Sequence, residues 1–313
     1  MESLNSHWSP ASPSKVPIVF WTVHKDIRYV VVSPVRNEES YLRLTIDSMV
    51  SQTFKPVLWV IVNDGSTDGT KQIADAAVLA HGWIKVINRA DRGFRSAGTG
   101  VIEAFYEGYG LIDEGWDYLV KLDGDLSFEN DYFERCFEQL ERNARLGIAG
   151  GTICTERMGK VEVEFKKDPK FHVRGATKIY KRACWEQIGG LIRAPGWDTL
   201  DEVKANMLGW QTCTLEGISL LQHRPTGAAY GTWNDRVKSG LANYVVGYHP
   251  LFMLAKALKR MADRPLVVGG LALLFGFAKG YVKRIPRVAD EALIAYFRRQ
   301  QMNRLMLRES LWG

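Results

Sequence analysis

The chain has 313 residues, of which 46% are apolar and 24% are charged, so it is long enough for one large globular domain or two small ones. A disordered tail, a collagen-like fibre and a cysteine-stapled miniprotein are excluded, because a chain of this size can bury a large core without disulfides. The net charge is +6, and the four cysteines show no CxxC spacing, so we expect reduced thiols of a cytosolic chain rather than a zinc site.

The first half of the chain alternates between strand and helix patterns about every 30 residues, after a Ser- and Pro-rich lead-in over residues 1–27. We predict strands over 29–33, 58–63, 84–88 and 117–122, and helices over 38–53, 70–81, 96–109 and 129–145. This alternation predicts an α/β fold in which a mostly parallel sheet is flanked by helices on both faces.

The second half is less regular and ends in helices. We predict strands over 148–155, 174–180 and 212–220, and helices over 200–208, 237–262, 266–282 and 289–307. The patterns indicate one sheet domain built from halves 28–130 and 131–232, followed by a helical extension over 233–313.

The helical extension is basic. Residues 250–313 contain 12 Lys and Arg but only 4 Asp and Glu, a balance of +8 that leaves about −2 for the rest. We therefore expect an anionic membrane surface as the partner of this segment; a basic, solvated helical subdomain is the alternative. The apolar run 265–278 is too short to span a bilayer. No basic and apolar leader follows Met1, so we expect no secretory signal.

Polar side chains follow each of the first four predicted strands. The segment 33–38 follows the first strand, Asp64 the second, Arg92 and Arg95 the third, and the tripeptide 123–125 the fourth. Ligands of an open parallel sheet bind beyond the carboxyl ends of the strands, so we predict a binding site at this edge.

The tripeptide Asp123-Gly124-Asp125 predicts a metal site. Carboxylates two residues apart point to the same side of an extended backbone, and the glycine leaves room for a ligand. Two hard oxygens suit Mg²⁺ or Mn²⁺, which would also hold a diphosphate; an ordinary acidic turn is the alternative. Neither a dinucleotide fingerprint nor a P-loop motif is present, which argues against a dehydrogenase or P-loop enzyme.

Three blocks, VSPVRNEESYLRLTIDSMVSQT, VNDGSTDGT and KLDGD, resemble glycosyltransferase family 2, whose members have the GT-A fold. They lie within residues 28–130, and a weaker likeness continues to about residue 225. The resemblance implies an inverting enzyme that uses a nucleotide diphosphate sugar and a divalent metal. It implies donor contacts from the ends of the first four strands, namely Pro34, Arg36, Glu38, Asp64, Arg95 and Asp123. It implies a metal held by Asp123 and Asp125. His223 is a candidate third ligand or diphosphate contact, and a hydrogen-bonded histidine at a strand end is the alternative.

The resemblance also indicates a base that takes the proton of the acceptor hydroxyl. Asp198 lies at the family's spacing before Gly209, with Asp201 and Glu202 as alternatives, and N-terminal helix capping is the competing role for each. Trp197 is a candidate for sugar stacking. Arg174, predicted to share a strand face with Lys178, is a candidate acceptor contact; a solvated charged face is the alternative.

The likeness has departures that shape the predicted function. Trp197 stands where the acceptor-side motif of the family usually has Glu, and the loop 91–95, where nucleotide contacts are expected, is atypical. The block 222–225 lacks the Trp of processive synthases, so we expect one sugar per encounter. We predict transfer from a UDP-sugar to a saccharide or lipid-linked saccharide in cell-surface polysaccharide or glycolipid assembly. The enzyme would be cytoplasmic and peripheral on the inner membrane face, without nucleic-acid partners. The alternatives are a non-catalytic nucleotide-sugar binding module and a sugar nucleotidyltransferase.

Overall fold

The computed structural model describes residues 27–91, 93, 99–164, 166, 168–224, 232–261 and 266–312, so most of the predicted lead-in lies outside it. The strands found in these residues are β1 Tyr29–Val35, β2 Leu58–Asn63, β3 Ile84–Asn88, β4 Tyr118–Leu122, β5 Leu126–Phe128, β6 Leu146–Arg157, β7 Lys160–Val163, β8 Thr177–Lys181 and β9 Gln211–Gln222. The helices are α1 Leu42–Val50, α2 Thr70–Ala80, α3 Thr99–Tyr109, α4 Tyr132–Arg142, α5 Arg182–Ile188, α6 Trp197–Met207, α7 Thr232–Val245, α8 Pro250–Met261, α9 Val268–Val282 and α10 Glu291–Leu305.

The first four long strands form the parallel half of the sheet, in the order β3-β2-β1-β4. Val31 pairs with Trp59 on one side and Val120 on the other, both in parallel register. Strands β1, β2 and β4 are buried on both faces, as continuous apolar runs require, whereas the edge strand β3 is mostly partly exposed. The strands and helices predicted for this half are confirmed, with bounds that differ by up to four residues.

The second half of the sheet is mixed rather than mostly parallel. β8 is antiparallel to both β4 and β6, whereas β6 and β9 are parallel. β5 pairs with β9 and β7 pairs with β6, both in antiparallel register. The sequence missed β5, β7 and α5, because three to seven residues are too few for a periodic pattern.

Arg174 does not share a strand face with Lys178, which corrects the sequence prediction. Strand β8 begins only at Thr177. Arg174 precedes it in a turn, in which the Arg174 carbonyl accepts a hydrogen bond from Thr177 N at 3.2 Å. The Arg174 Nε atom lies 2.8 Å from Asp168 Oδ2.

The helical extension packs against the helix that precedes β9. Leu200 and Val203 of α6 share a buried core with Tyr244, Phe277 and Phe297 of α7, α9 and α10. The single helix predicted over 237–262 is two helices, because the chain turns at Gly247, whose φ of +81° favours glycine. The extension is therefore a layer fixed to the sheet domain.

Helices α7 and α9 approach each other closely through glycines. A Cβ on Gly276 would lie 2.0 Å from Val237 O, and one on Gly240 would lie 2.1 Å from Leu273 O. Any larger side chain would push the helices apart. Within the described residues, no helix combines the length and the apolar character needed to cross a bilayer.

Candidate active site

A charge network joins the ends of β1, β2 and β3. Arg36 Nη1 donates to Asp64 O at 2.7 Å, and Arg36 Nη2 pairs with Asp91 Oδ1 at 2.7 Å. Arg89 Nη1 lies 2.6 Å from Asp64 Oδ1, and Arg89 Nε lies 2.8 Å from Glu107 Oε2. Arg36 and Asp64 are therefore brought together as predicted.

Arg89 belongs to this network and was missed by the sequence analysis. Arg89 directly follows the third predicted strand, and this position would have been enough to include it beside Arg92 and Arg95. Pro34 lies inside β1, opposite Val62 of β2. Arg92 and Arg95 lie outside the described residues.

Arg224, just beyond the end of β9, reaches back to the turn after β1. Its guanidinium forms a two-pronged ion pair with Glu38, at 2.9 and 2.8 Å, and donates to Asn37 O at 2.9 Å. Tyr41 lies beside this pair, with its ring stacked on His223 at 5.7 Å and 5.6 Å from the Arg224 guanidinium. The structure thus places the residues after β9 against the predicted donor-binding turn.

Asp123 is held by the protein backbone and by a buried lysine. Its N–H donates to Ala176 O at 2.8 Å, and its carboxylate pairs with Lys121. The Lys121 side chain is almost fully buried, and its Nζ also donates to Gly175 O at 2.5 Å. Lys121 therefore links the metal motif to the turn before β8.

Gly124 is required for packing rather than for ligand approach. A Cβ on this residue would lie 2.6 Å from Val35 Cγ1 and 3.4 Å from Leu42 Cδ1. The glycine lets the 123–125 turn press against β1 and α1, which corrects the reason given for it from the sequence.

Asp125 presents a buried carboxylate oxygen that has no hydrogen-bond partner among the described residues. Its Oδ2 accepts from Gln222 Nε2 at 3.3 Å, whereas no described residue hydrogen-bonds to its buried Oδ1. Burial, followed by the charge of Asp123, raises the pKa of Asp125 to about 6. A cation would satisfy this Oδ1 and keep the carboxylate ionised, so the hard oxygens of Asp125 and Asp123 fit a divalent ion such as Mg²⁺ or Mn²⁺.

His223 does not converge with the two aspartates. Its Nε2 lies 2.7 Å from Ser127 Oγ, and its backbone N–H donates to Asp125 O at 2.9 Å. Burial lowers the pKa of His223, so the ring is neutral at pH 7. In the part of the chain that the structure describes, no three His, Cys, Asp or Glu side chains gather as a metal site would require.

The three candidate bases at the start of α6 differ sharply in environment. Asp201 and Glu202 are 1% and 0% exposed, whereas Asp198 is only partly buried. Gly196 occupies the cap position of the helix and no cap side chain bonds there. Asp198 is therefore the one of the three that keeps part of its surface exposed.

Asp201 and Glu202 belong to a buried charge cluster around Lys178. Lys178 Nζ lies 2.9 Å from both Asp201 oxygens and 2.7 Å from Glu202 Oε1. Tyr180 OH donates to Asp201 at 2.6 Å, and His172 Nδ1 lies 2.9 Å from Glu202. Burial raises the pKa of Asp201 to about 6, although the charge of Lys178 opposes this.

The same cluster holds the backbone of Asp198. Lys178 Nζ donates to Asp198 O at 2.5 Å. The Trp197 ring, 6% exposed, lies 5.6 Å from both Lys121 and Lys178 and packs on Gly175. A Cβ on Gly175 would lie 3.5 Å from Asp198 Cβ. One compact layer of side chains thus connects Asp123 with Asp198. The Trp197 ring lies inside this layer and is covered by protein, so it is not open to a sugar.

The sequence profile of glycosyl transferase family 2 matches residues 30–188, about half of the chain. The chain therefore belongs to glycosyl transferase family 2. This match confirms the resemblance carried by the three sequence blocks.

Curated relatives match short parts of the chain. The chain is similar to glycosyltransferase GlyA of Streptococcus pneumoniae, with 31% identity over 37% of this chain and 15% of that protein. It is also similar to the uncharacterized glycosyltransferase EpsJ of Bacillus subtilis, with 31% identity over 38% and 32%. A third relative is the polyprenol monophosphomannose synthase of Mycolicibacterium smegmatis, with 30% identity over 42% and 50%. The matches span half or less of each relative.

Solved structures resemble nearly the whole chain. The mannosyltransferase PcManGT of Pyrobaculum calidifontis, in complex with GDP-Man and Mn²⁺, superposes with a TM-score of 0.52 at 17% identity and covers 90% of this chain and 81% of its own. The S. aureus TarS fragment 1-349, in complex with UDP-GlcNAc, gives 0.52 at 16% identity, with coverage of 88% and 81%. This likeness establishes the GT-A fold and confirms the expected fold class.

Proposed function

We propose that this protein is an inverting glycosyltransferase that moves one sugar from a nucleotide diphosphate sugar to an acceptor hydroxyl. The observation that carries the proposal is a connected layer of residues, in which Lys121 and Trp197 join the metal motif at Asp123 to the partly exposed Asp198. Membership of the family supports it, as do the GDP-Man and UDP-GlcNAc held by two structural neighbours. A UDP-sugar is our first choice of donor.

Donor binding is assigned to the strand-end network. The turn from Pro34 to Glu38 and the side chain of Asp64 would line the base and ribose, with Arg36 and Arg89 fixing Asp64 in place. Arg95, outside the described residues, remains a proposed nucleotide contact. Arg224 would contact the diphosphate after the donor displaces part of the ion pair between Arg224 and Glu38.

Asp123 and Asp125 would hold Mg²⁺ or Mn²⁺, and the neighbour solved with Mn²⁺ supports this assignment. The bound cation would neutralise negative charge that develops on the leaving diphosphate. Asp125 contributes the free Oδ1, and Asp123 is kept in place by Lys121 and by Ala176 O. His223 is not needed as a ligand in this arrangement, since Ser127 already engages its Nε2.

Asp198 is assigned as the base. Its carboxylate takes the proton of the acceptor hydroxyl while the hydroxyl oxygen forms the new bond to the sugar carbon. Lys178 holds the peptide of Asp198, and Trp197 fixes the start of α6, so the carboxylate is positioned before the acceptor arrives. We propose a saccharide or lipid-linked saccharide as acceptor, in cell-surface polysaccharide or glycolipid assembly. The enzyme would then work at the inner face of the cell membrane.

Asp125→Asn tests the proposal. The amide keeps the shape but cannot neutralise a cation, and losing several kcal/mol of leaving-group stabilisation would lower transfer by at least about 10²-fold. Asp75→Asn, on the exposed face of α2, is the matched control and should transfer like the wild type. Transfer and donor hydrolysis are followed with a panel of nucleotide sugars and Mn²⁺, with and without EDTA. Near wild-type transfer in EDTA, or by Asp125→Asn, would contradict the metal assignment.

A further inference from the structure

Helix α9 presents an exposed apolar stripe that the described part of the chain does not cover. Val268, Leu271, Phe275, Ala278 and Val282 are all exposed and follow one another at spacings of three and four residues. Such spacing places them on one face of the helix. Phe275 is 57% exposed and Val282 is 82% exposed. The opposite face of α9 carries the glycines that pack on α7, so the exposed stripe is a separate surface.

Helix α8 adds a second stripe beside the first. Leu251, Leu254 and Leu258 are 55%, 45% and 57% exposed, again at spacings of three and four. The two helices touch at Gly270, where a Cβ would lie 2.6 Å from Ala257 O. Leu258 directly follows Ala257 and Leu271 directly follows Gly270, so both stripes border this contact.

Two further apolar groups extend the surface. Leu266 and Val267 are exposed in the turn that leads into α9. Trp233 of α7 is 45% exposed, and its ring lies 6.3 Å from that of Phe275. Tryptophan is enriched where protein meets the membrane interface, because its ring combines an apolar body with a polar N–H group. We call the stripes on α8 and α9, together with these groups, the apolar face.

The rim of the apolar face is basic. Residues 250–285 contain seven Lys and Arg and one Asp. Lys256 and Lys259 are exposed beside the leucines of α8, and Lys283 and Arg284 are exposed at the end of α9. A second copy of the chain docked through the same face would bring two basic rims together, so charge disfavours self-association. The complementary partner is one whose apolar interior meets the apolar face and whose negatively charged surface meets the basic rim.

We infer that the apolar face lies in the interfacial layer of a bilayer that contains anionic lipids. The leucines, Phe275 and Trp233 would enter the acyl boundary, and the rim lysines would contact lipid phosphates. Helix α9 has 15 residues and is about 22 Å long, so it lies along the surface instead of crossing the roughly 30 Å core.

This docking would orient the candidate active site, a consequence that rests on the proposed function. Leu200 of α6, the helix that carries Asp198, belongs to one buried cluster with Tyr244 and Phe277 of the extension. Trp233 follows Arg224 by nine residues, which limits their separation to on the order of 30 Å. The turn at Glu38, which Arg224 contacts, would therefore lie within about that distance of the bilayer surface.

Vesicle flotation of the full chain tests the inference without donor or acceptor. Wild type should float with phosphatidylglycerol vesicles at low salt and much less with phosphatidylcholine vesicles. Leu271→Ser with Phe275→Ser should lower the vesicle partition coefficient by about tenfold or more, because two large side chains lose their apolar environment. Leu79→Ser, at a leucine of α2 that is 90% exposed, is the matched control and should float like the wild type. Lys259→Gln with Lys283→Gln, at two exposed lysines of the rim, should weaken binding to anionic vesicles only.

Three results would overturn the inference. The first is wild type that stays unbound at low salt, and the second is a Leu271/Phe275 variant that floats as well as the wild type. The third is a concentration-dependent dimer in sedimentation that Phe275→Ser disperses, without vesicle binding. Thermal melting checks that the variants fold. Transfer to a water-soluble acceptor should be unchanged in the Leu271/Phe275 variant, so failure of flotation and failure of the proposed transfer are distinguishable.

Discussion

Replacing Lys178 by Met should destabilise the fold strongly and disturb the site as well. The Lys178 side chain is fully buried and its ammonium contacts Asp201, Glu202 and the backbone oxygen of Asp198. Burial alone would lower the pKa of Lys178, but the charges of Asp201 and Glu202 outweigh it and raise that pKa, so the group is charged at pH 7. Methionine keeps most of the apolar stem and removes only the charge.

The expected loss in the free energy of unfolding is about 3–5 kcal/mol, because removing one partner of a buried ion pair leaves an uncompensated charge. Lys71→Met is the matched control. Lys71 pairs with Asp75 at 2.5 Å on the surface of α2, and both side chains are about half exposed. Losing that pair should change stability by about 0.5 kcal/mol or less.

Urea unfolding, followed by circular dichroism at pH 7, measures both changes. A triple variant that adds Asp201→Asn and Glu202→Gln to Lys178→Met should recover part of the loss, since no buried charge would then lack a partner. Where Lys178→Met remains folded, its kcat should fall while donor binding is kept, because the peptide of Asp198 loses its anchor. A loss no larger than that of Lys71→Met would refute the reasoning.

Two further predictions concern the acceptor side. Asp198→Asn should lower transfer by roughly 10²–10⁴-fold, as expected for a lost general base. Donor binding, measured by calorimetry, should be nearly unchanged. Transfer that survives Asp198→Asn but is lost in a folded Asp201→Asn or Glu202→Gln variant would show that the base is misassigned. Burial alone would lower the pKa of His172, but the charge and hydrogen bond of Glu202 outweigh it and raise that pKa. Protonation of His172 therefore stabilises the fold fully below about pH 6.5, and this contribution is lost as pH rises through the raised pKa. His172→Gln should consequently lose more stability at about pH 5.5 than at about pH 9, and equal losses in the two urea titrations would contradict this.

Local patterns in the sequence were enough for the parallel half of the sheet. Strands such as 58–63 are continuous apolar runs, and the helices between them have regular spacing, so each element could be recognised from its own residues. Because carboxyl ends of parallel strands meet at one edge, the same patterns predicted that Arg36 and Asp64 would lie together. The three sequence blocks also identified the family, which the profile match confirmed.

Other parts of the site depend on contacts between residues far apart in the chain. Arg224 meets Glu38 across 186 positions, and no local pattern predicts which carboxylate an arginine will find. The short antiparallel strands β5 and β7 have no periodicity to read, so the mixed second half appeared only in the structure.

Burial decided the roles of the charged residues around the start of α6. In the sequence, Asp198, Asp201 and Glu202 are three similar carboxylates within five positions, and Lys178 reads as a surface charge. The sequence determined that a carboxylate would stand at the start of this helix, since spacing is a local property. The tertiary structure alone decided which carboxylates are enclosed with Lys178 and which residue stays partly exposed, because burial depends on what the rest of the chain packs against each side chain.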